Sequence, residues 1–164
     1  MRKKVLEKLG RPPSALPRWV GSLEADLLDH LTPAVSKPRL RLLCGRGVAS
    51  DLAKKLRQVA AGLTSVSPPA HHVRVIVLPS VMLDPGDGQP AHGYFVTPSH
   101  APCEVASVGI AIATGFYEAA YVSRTRVAAE VLQVLGHEYA HYEQWRDDKP
   151  VTERGVEVRG RDRP

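Results

Sequence analysis

The chain has 164 residues, enough for one buried core and too few for two comfortable ones. Its 43% hydrophobic and 24% charged residues are those of a soluble globular protein, which excludes wholesale disorder, and no apolar run is long enough to cross a membrane. The net charge of +5 leaves a nucleic-acid partner open, whereas two cysteines, Cys44 and Cys103, are too few for a disulfide scaffold and point to a reduced, cytoplasmic setting.

Residues 1–10 are basic with no apolar stretch behind them, so no secretory signal is expected. Pro12, Pro13, Pro17, Pro33 and Pro38 cut the next stretch into short pieces. One of these, residues 22–31, reads as a helix with Leu23, Leu27, Leu28 and Leu31 on one side. Residues 1–45 are therefore read as a basic, proline-interrupted helical segment, and 46–164 as the main domain. A helix is expected over 50–63, capped by Ser50, with Leu52, Leu56, Val59 and Leu63 at helical spacing. The β-branched run at 73–78 predicts a strand, the Asp, Gly and Pro residues of 83–90 a loop, and 93–97 and 108–113 two further strands.

From 124 to 145 the pattern turns helical, with Val127, Val131, Val134, Leu135 and Trp145 on one face. Asp147, Asp148, Lys149 and Pro150 stop it, and Thr152 is placed to cap a short final helix over 153–159. Helices, then strands, then helices suggest an α+β fold rather than a repeating βαβ sheet.

The chemistry concentrates in that long helix. The chain holds seven histidines, and two of them frame His137-Glu138-Tyr139-Ala140-His141. Residues i and i+4 lie one turn apart on one helix face, so both imidazoles reach a single ion. Zinc takes neutral imidazole nitrogens at about 2.0–2.1 Å in tetrahedral geometry. Glu138 projects to the edge of the same face, where a carboxylate can take a proton from water without ligating the metal. A catalytic zinc needs a third protein ligand, with water in the fourth position. Glu153 is the candidate, beyond a loop that turns the chain back; Asp147 and Asp148 belong to the helix exit. Glu157, one turn further on, can accept a hydrogen bond from the far nitrogen of a ligand histidine, and the two glutamates can exchange these roles.

His137-Glu138-x-x-His141 followed by Glu153-x-x-x-Glu157 resembles the gluzincin type of zincin metalloprotease, and the compact size is similar to the minimal metalloprotease domains of bacteria and phages. The resemblance covers about the last 30 residues. It implies a small zincin-like domain with a short, mostly antiparallel sheet, an active-site helix and a backing helix. It also implies zinc on His137, His141 and Glu153, Glu138 as general base, Glu157 as supporting acid, and a protein or peptide substrate. In that fold an extended peptide lies along an edge strand, for which 108–113 and 93–97 are the candidates. His92, Tyr94, His100, Tyr139 and Tyr142 are candidate oxyanion donors.

Three alternatives remain. Peptide deformylases share the motif but use an upstream cysteine as third ligand; Cys103 is upstream, yet its surroundings do not match that family, and both cysteines are expected to be small buried residues. A nucleic-acid-binding module would use the basic ends, Arg2, Lys3, Lys4, Lys8, Arg11 and Arg18 together with Arg154, Arg159, Arg161 and Arg163. An inactive zincin-like metal-binding module is the third.

Overall fold

A computed structural model of the chain describes residues 14–15, 37–84, 89–118 and 123–153. They form strands β1 (Ser14–Ala15) and β2 (Leu40–Cys44), helix α1 (Ser50–Val66), and strands β3 (His72–Leu78), β4 (Leu83–Asp84) and β5 (Gly93–Val96). A 3-10 turn at Pro102–Glu104, strand β6 (Ser107–Ala113), the single-turn helix α2 (Gly115–Glu118) and the long helix α3 (Arg124–Arg146) complete the order. The fold is α+β, with helices and a small mixed sheet. The helix expected over 22–31, the final helix past Glu153, Glu157 and the basic ends lie outside the described residues.

The three strands expected from β-branched runs are β3, β5 and β6, and β2 adds a fourth. β2 falls within the segment that the division at residue 45 assigns to the N-terminal part, yet it pairs with β3 in register Leu40↔Val73 to Cys44↔Val77. The sheet order is β2-β3-β6-β5. Contrary to the mostly antiparallel sheet expected, β2–β3 and β3–β6 are parallel and only β5–β6 is antiparallel. For β2–β3 the reason is α1, which lies between them and returns the chain along the sheet, so that both strands start from the same end; β3 and β6 are joined by the longer path through β4, β5 and the 3-10 turn. β6 sits between β3 and β5, so residues 108–113 are interior, and β5 is the edge strand. Burial on both faces accounts for the unbroken apolar runs of β3 and β6.

Both long helices cover one face of the sheet. Leu52, Leu56 and Leu63 of α1 and Val131, Leu135, Tyr139 and Tyr142 of α3 share a core with Val75, Val77, Phe95, Ile110 and Ile112. The opposite face carries two smaller clusters, around Ile76 and Val96 and around Leu83, Ala111 and Ala113. Leu83, expected in a loop, instead exchanges both backbone hydrogen bonds with Ala91, at 2.8 and 3.0 Å. Ser50 is the first residue of α1 rather than its cap; Ala49 holds that place and makes no side-chain bond. Cys44 and Cys103 are free and exposed rather than buried, one at the end of an outer strand and the other in the 3-10 turn.

The inner face of α3 is bolted to the connection between α1 and β3. The Tyr139 hydroxyl donates to the Ser67 carbonyl at 2.7 Å, and Arg146 donates to Ser67 Oγ at 3.2 Å and to the Pro68 carbonyl at 3.4 Å. The Tyr142 hydroxyl accepts from the Ala70 N–H at 2.9 Å and lies 3.0 Å from His71 Nδ1. His71 Nε2 is 2.8 Å from the Pro102 carbonyl. A carbonyl only accepts, so Nε2 carries the proton and Nδ1 accepts from Tyr142. His71 is therefore a structural histidine held in its neutral form. Burial pushes its pKa below the usual 6.5 and the Arg146 charge adds to this, against the opposing Pro102 hydrogen bond.

A pH dependence follows. Because the folded pKa of His71 is depressed, the unfolded chain binds more protons just below the ordinary value. The neutral ring's contribution is full above about pH 6.5 and is lost as pH falls through the depressed value. Urea unfolding of the metal-free protein between pH 7.5 and 5 should show stability falling towards acid, with a shallower fall in His71→Gln. Equal slopes in the two proteins would contradict this role.

Candidate metal centre

Helix α3 begins at Ser123, whose hydroxyl accepts from the Arg126 N–H at 3.4 Å. Its core face is set by Val131, Leu135, Tyr139, Tyr142 and Trp145. The helical repeat then places His137 and His141 together at the margin of that face. Their side chains are 31% and 9% exposed, so one imidazole is anchored in the protein and the other borders solvent.

The chain past the helix doubles back. The Asp148 N–H donates to the Trp145 carbonyl and the Lys149 N–H to the Gln144 carbonyl, at 3.0 and 2.8 Å. With Asp147 as the cap and Asp148 at φ 55°, this is the Schellman closure, in which a left-handed residue reverses the chain. Asp147 is occupied by Arg146 and Lys149, at 2.9 and 3.1 Å, and these cations hold its carboxyl below the usual range. Both aspartates thus serve the helix exit, as expected. The returning segment meets the Gln144 side chain: the Thr152 N–H donates to Gln144 Oε1 at 3.0 Å, and Gln144 Nε2 donates to the Thr152 carbonyl at 3.1 Å. Gln144 Oε1 also lies 3.3 Å from His141 Nδ1.

Glu153 is thereby brought against both histidines. Its Oε2 is 3.1 Å from His137 Nε2, its Oε1 is 3.3 Å from His141 Nε2, and the two Nε2 atoms are 3.1 Å apart. Three electron-pair donors that converge so closely need a cation among them, either shared protons or a metal. Ligands at 2.0–2.1 Å from a tetrahedral ion stand about 3.3 Å from one another, and the spacing of the two Nε2 atoms and the approach of one carboxylate oxygen to each are close to that length. Two imidazoles and one carboxylate also leave the fourth position free. Among the described residues this is the only group of His, Cys, Asp and Glu with metal-binding spacing.

Glu138, the residue after His137 and close enough to Glu153 to feel its charge, is only 6% exposed. Burial raises its pKa from 4.5 to about 7; a hydrogen bond from the Phe95 backbone opposes the rise, and the Glu153 charge adds to it. Strand β5 comes this close because residue 93 is glycine. A Cβ there would stand 2.4 Å from Val134 Cγ1 and 2.8 Å from both Cγ and Oε1 of Glu138. The edge strand, the motif helix and the general-base candidate therefore meet at a point with no room for a side chain.

The structure brings His137, His141 and Glu153 together, with Glu138 buried next to His137 in the helix. Two of the candidate oxyanion donors are not at the site: the hydroxyls of Tyr139 and Tyr142 point to Ser67 and to Ala70 and His71, on the buried side of α3. The ring of His92 packs on Phe116 with centroids 4.7 Å apart, and His100 Nδ1 lies 3.1 Å from Ser99 Oγ. Cys103 is outside the cluster. The far nitrogen of His141 faces Gln144; Glu157, expected to support one of the two histidines, lies outside the described residues. Gln144 and Gly93 are the site residues the sequence analysis misses. The signals were faint: a polar residue one turn past His141, and a glycine at the start of an apolar strand.

Gly93→Ala should cost about 1–3 kcal/mol of stability, since a methyl group is forced into filled space, and should displace Glu138 from the Phe95 backbone. Urea unfolding measures the first effect. An alanine variant as stable as the wild type would contradict the close approach.

Compared with known proteins, the chain matches no protein-family model, no curated protein and no solved structure.

Proposed function

We propose that this protein is a zinc-dependent metallopeptidase of the zincin type that hydrolyses peptide bonds of a protein or peptide in the cytoplasm. One observation carries the reading: the Nε2 atoms of His137 and His141 stand 3.1 Å apart, and the two carboxylate oxygens of Glu153 approach one each, at 3.1 and 3.3 Å, beside a buried glutamate. His137, His141 and Glu153 are the residues that would hold the metal. Zinc, when bound, polarises a carbonyl and makes water acidic enough to be deprotonated near neutral pH.

The chain's own residues supply the rest. Glu138 accepts the proton of the attacking water and returns it to the amine nitrogen as the C–N bond breaks. Its burial keeps bulk water from competing for that proton, and a raised pKa suits a group that must both take and give it. The 75% exposure of Glu153 leaves the centre open on one side, where a substrate can enter. Strand β5, the edge of the sheet next to α3, offers its backbone to an extended peptide, a mode that makes little demand on sequence. Cys103, outside the cluster, weighs against the deformylase-like arrangement. Two exposed free thiols suit a reducing compartment, and no described helix is long and apolar enough to cross a membrane.

Glu138→Gln should keep its zinc, measured by atomic absorption, while cleavage of an unfolded protein substrate falls by about 10²-fold or more. Equal cleavage by both proteins would contradict the mechanism. Glu153→Ala should lower zinc occupancy, and unchanged occupancy would place the third ligand elsewhere.

A further inference from the structure

The amide of Gln144 touches both halves of the candidate centre, and its orientation can be deduced. The Thr152 N–H can only donate and the Thr152 carbonyl can only accept. At 3.0 and 3.1 Å from these two groups, the Gln144 side chain must turn its oxygen to the N–H and its nitrogen to the carbonyl. The oxygen is then also the atom that faces His141 Nδ1 at 3.3 Å. An amide oxygen only accepts, so Nδ1 carries the proton, and the lone pair of His141 is on Nε2, the atom directed at His137 and Glu153.

We propose that Gln144 is a positioning residue that assembles the metal centre, fixing the tautomer of one ligand and fastening the backbone that delivers the other. The two tasks are coupled. With the Thr152 backbone docked, the amide cannot flip, and His141 is held with Nε2 free for metal. With it undocked, Glu153 leaves the histidines, and the amide is free to present its nitrogen to Nδ1, which favours the opposite tautomer. Groups that orient metal-ligating histidines are usually carboxylates, backbone carbonyls or water. A side-chain amide that also clamps the neighbouring loop adds the third ligand to the same device.

The inference rests on the zinc reading above. Its test is a cycle of zinc affinities, measured by competition with a chromophoric chelator, on the wild type, Gln144→Met, Glu153→Ala and the double variant. Methionine keeps the length of the side chain and removes its hydrogen bonds, at a partly exposed position. Gln144→Met should weaken zinc about 10- to 100-fold, the usual loss when such an orienting partner is removed. On the Glu153→Ala background the same change should cost clearly less, because the delivery of Glu153 no longer matters. Thr152→Pro removes the loop's N–H donor at an exposed residue and should weaken zinc in the same direction, which keeps the question answerable if Gln144→Met folds poorly. In nitrogen-correlated NMR of the metal-free protein, His141 should be the Nδ1–H tautomer in the wild type and should lose that preference in Gln144→Met. Wild-type zinc affinity in Gln144→Met, or penalties that multiply in full, would overturn the assignment to Gln144 alone. A wild-type protein that binds no zinc would overturn the metal reading, and the role of Gln144 with it.

Discussion

The hydroxyl of Tyr142 is buried between the Ala70 N–H and the ring of His71, one residue past a metal-ligand candidate. Tyr139 and Arg146 add bonds to Ser67 and Pro68 along the same side of α3. On the opposite margin, Gly93 lets the edge strand lie directly against Val134 and Glu138. The helix is thus gripped on both flanks and can neither roll nor slide without breaking buried polar contacts or making a clash. Two histidines one turn apart become a defined pair only when their helix is fixed to within a few tenths of an ångström. The geometry of the candidate centre depends on that grip.

Rigidity and openness are divided between different parts of the chain. The two histidines and Glu138 come from one clamped helix, whereas Glu153 arrives on a returning segment that is exposed and held through Gln144. Helix termination is what makes this division work. The left-handed turn at Asp148 reverses the chain within a few residues, so that a carboxylate distant in sequence lands one hydrogen-bond length from both imidazoles. His71, which carries no chemistry of its own, sits at the base of the arrangement and links α3 to the 3-10 turn at Pro102.

Much of the centre was legible because its information is local. Spacing one helical turn apart puts His137 and His141 on one face whatever the tertiary structure, and Glu153 lay at a distance that a loop can reverse. The three strands with β-branched runs were legible for the same reason. β2 was not: it is an outer strand whose Arg41, Leu43 and Cys44 are exposed, so its apolar signal is diluted. Strand direction was also hidden, because a parallel pair is specified by the connection between the strands, a helix for β2–β3 and a longer path through β4, β5 and the 3-10 turn for β3–β6, and not by their residues. Two of the oxyanion candidates face away from the histidines. Tyr139 is two residues from each histidine, more than half a turn round the helix, and Tyr142 is one residue past His141, more than a quarter turn round; both rings point into the core. Gly93 and Gln144 matter only through what lies opposite them in space, and a single sequence holds no record of that.

The proposed chemistry requires a metal where His137, His141 and Glu153 converge. Anomalous diffraction across the zinc absorption edge, on crystals grown with stoichiometric zinc, tests it most directly. The account predicts one strong anomalous peak about 2.0–2.2 Å from His137 Nε2, His141 Nε2 and a carboxylate oxygen of Glu153. An empty triangle, or zinc bound elsewhere on the chain, would contradict it.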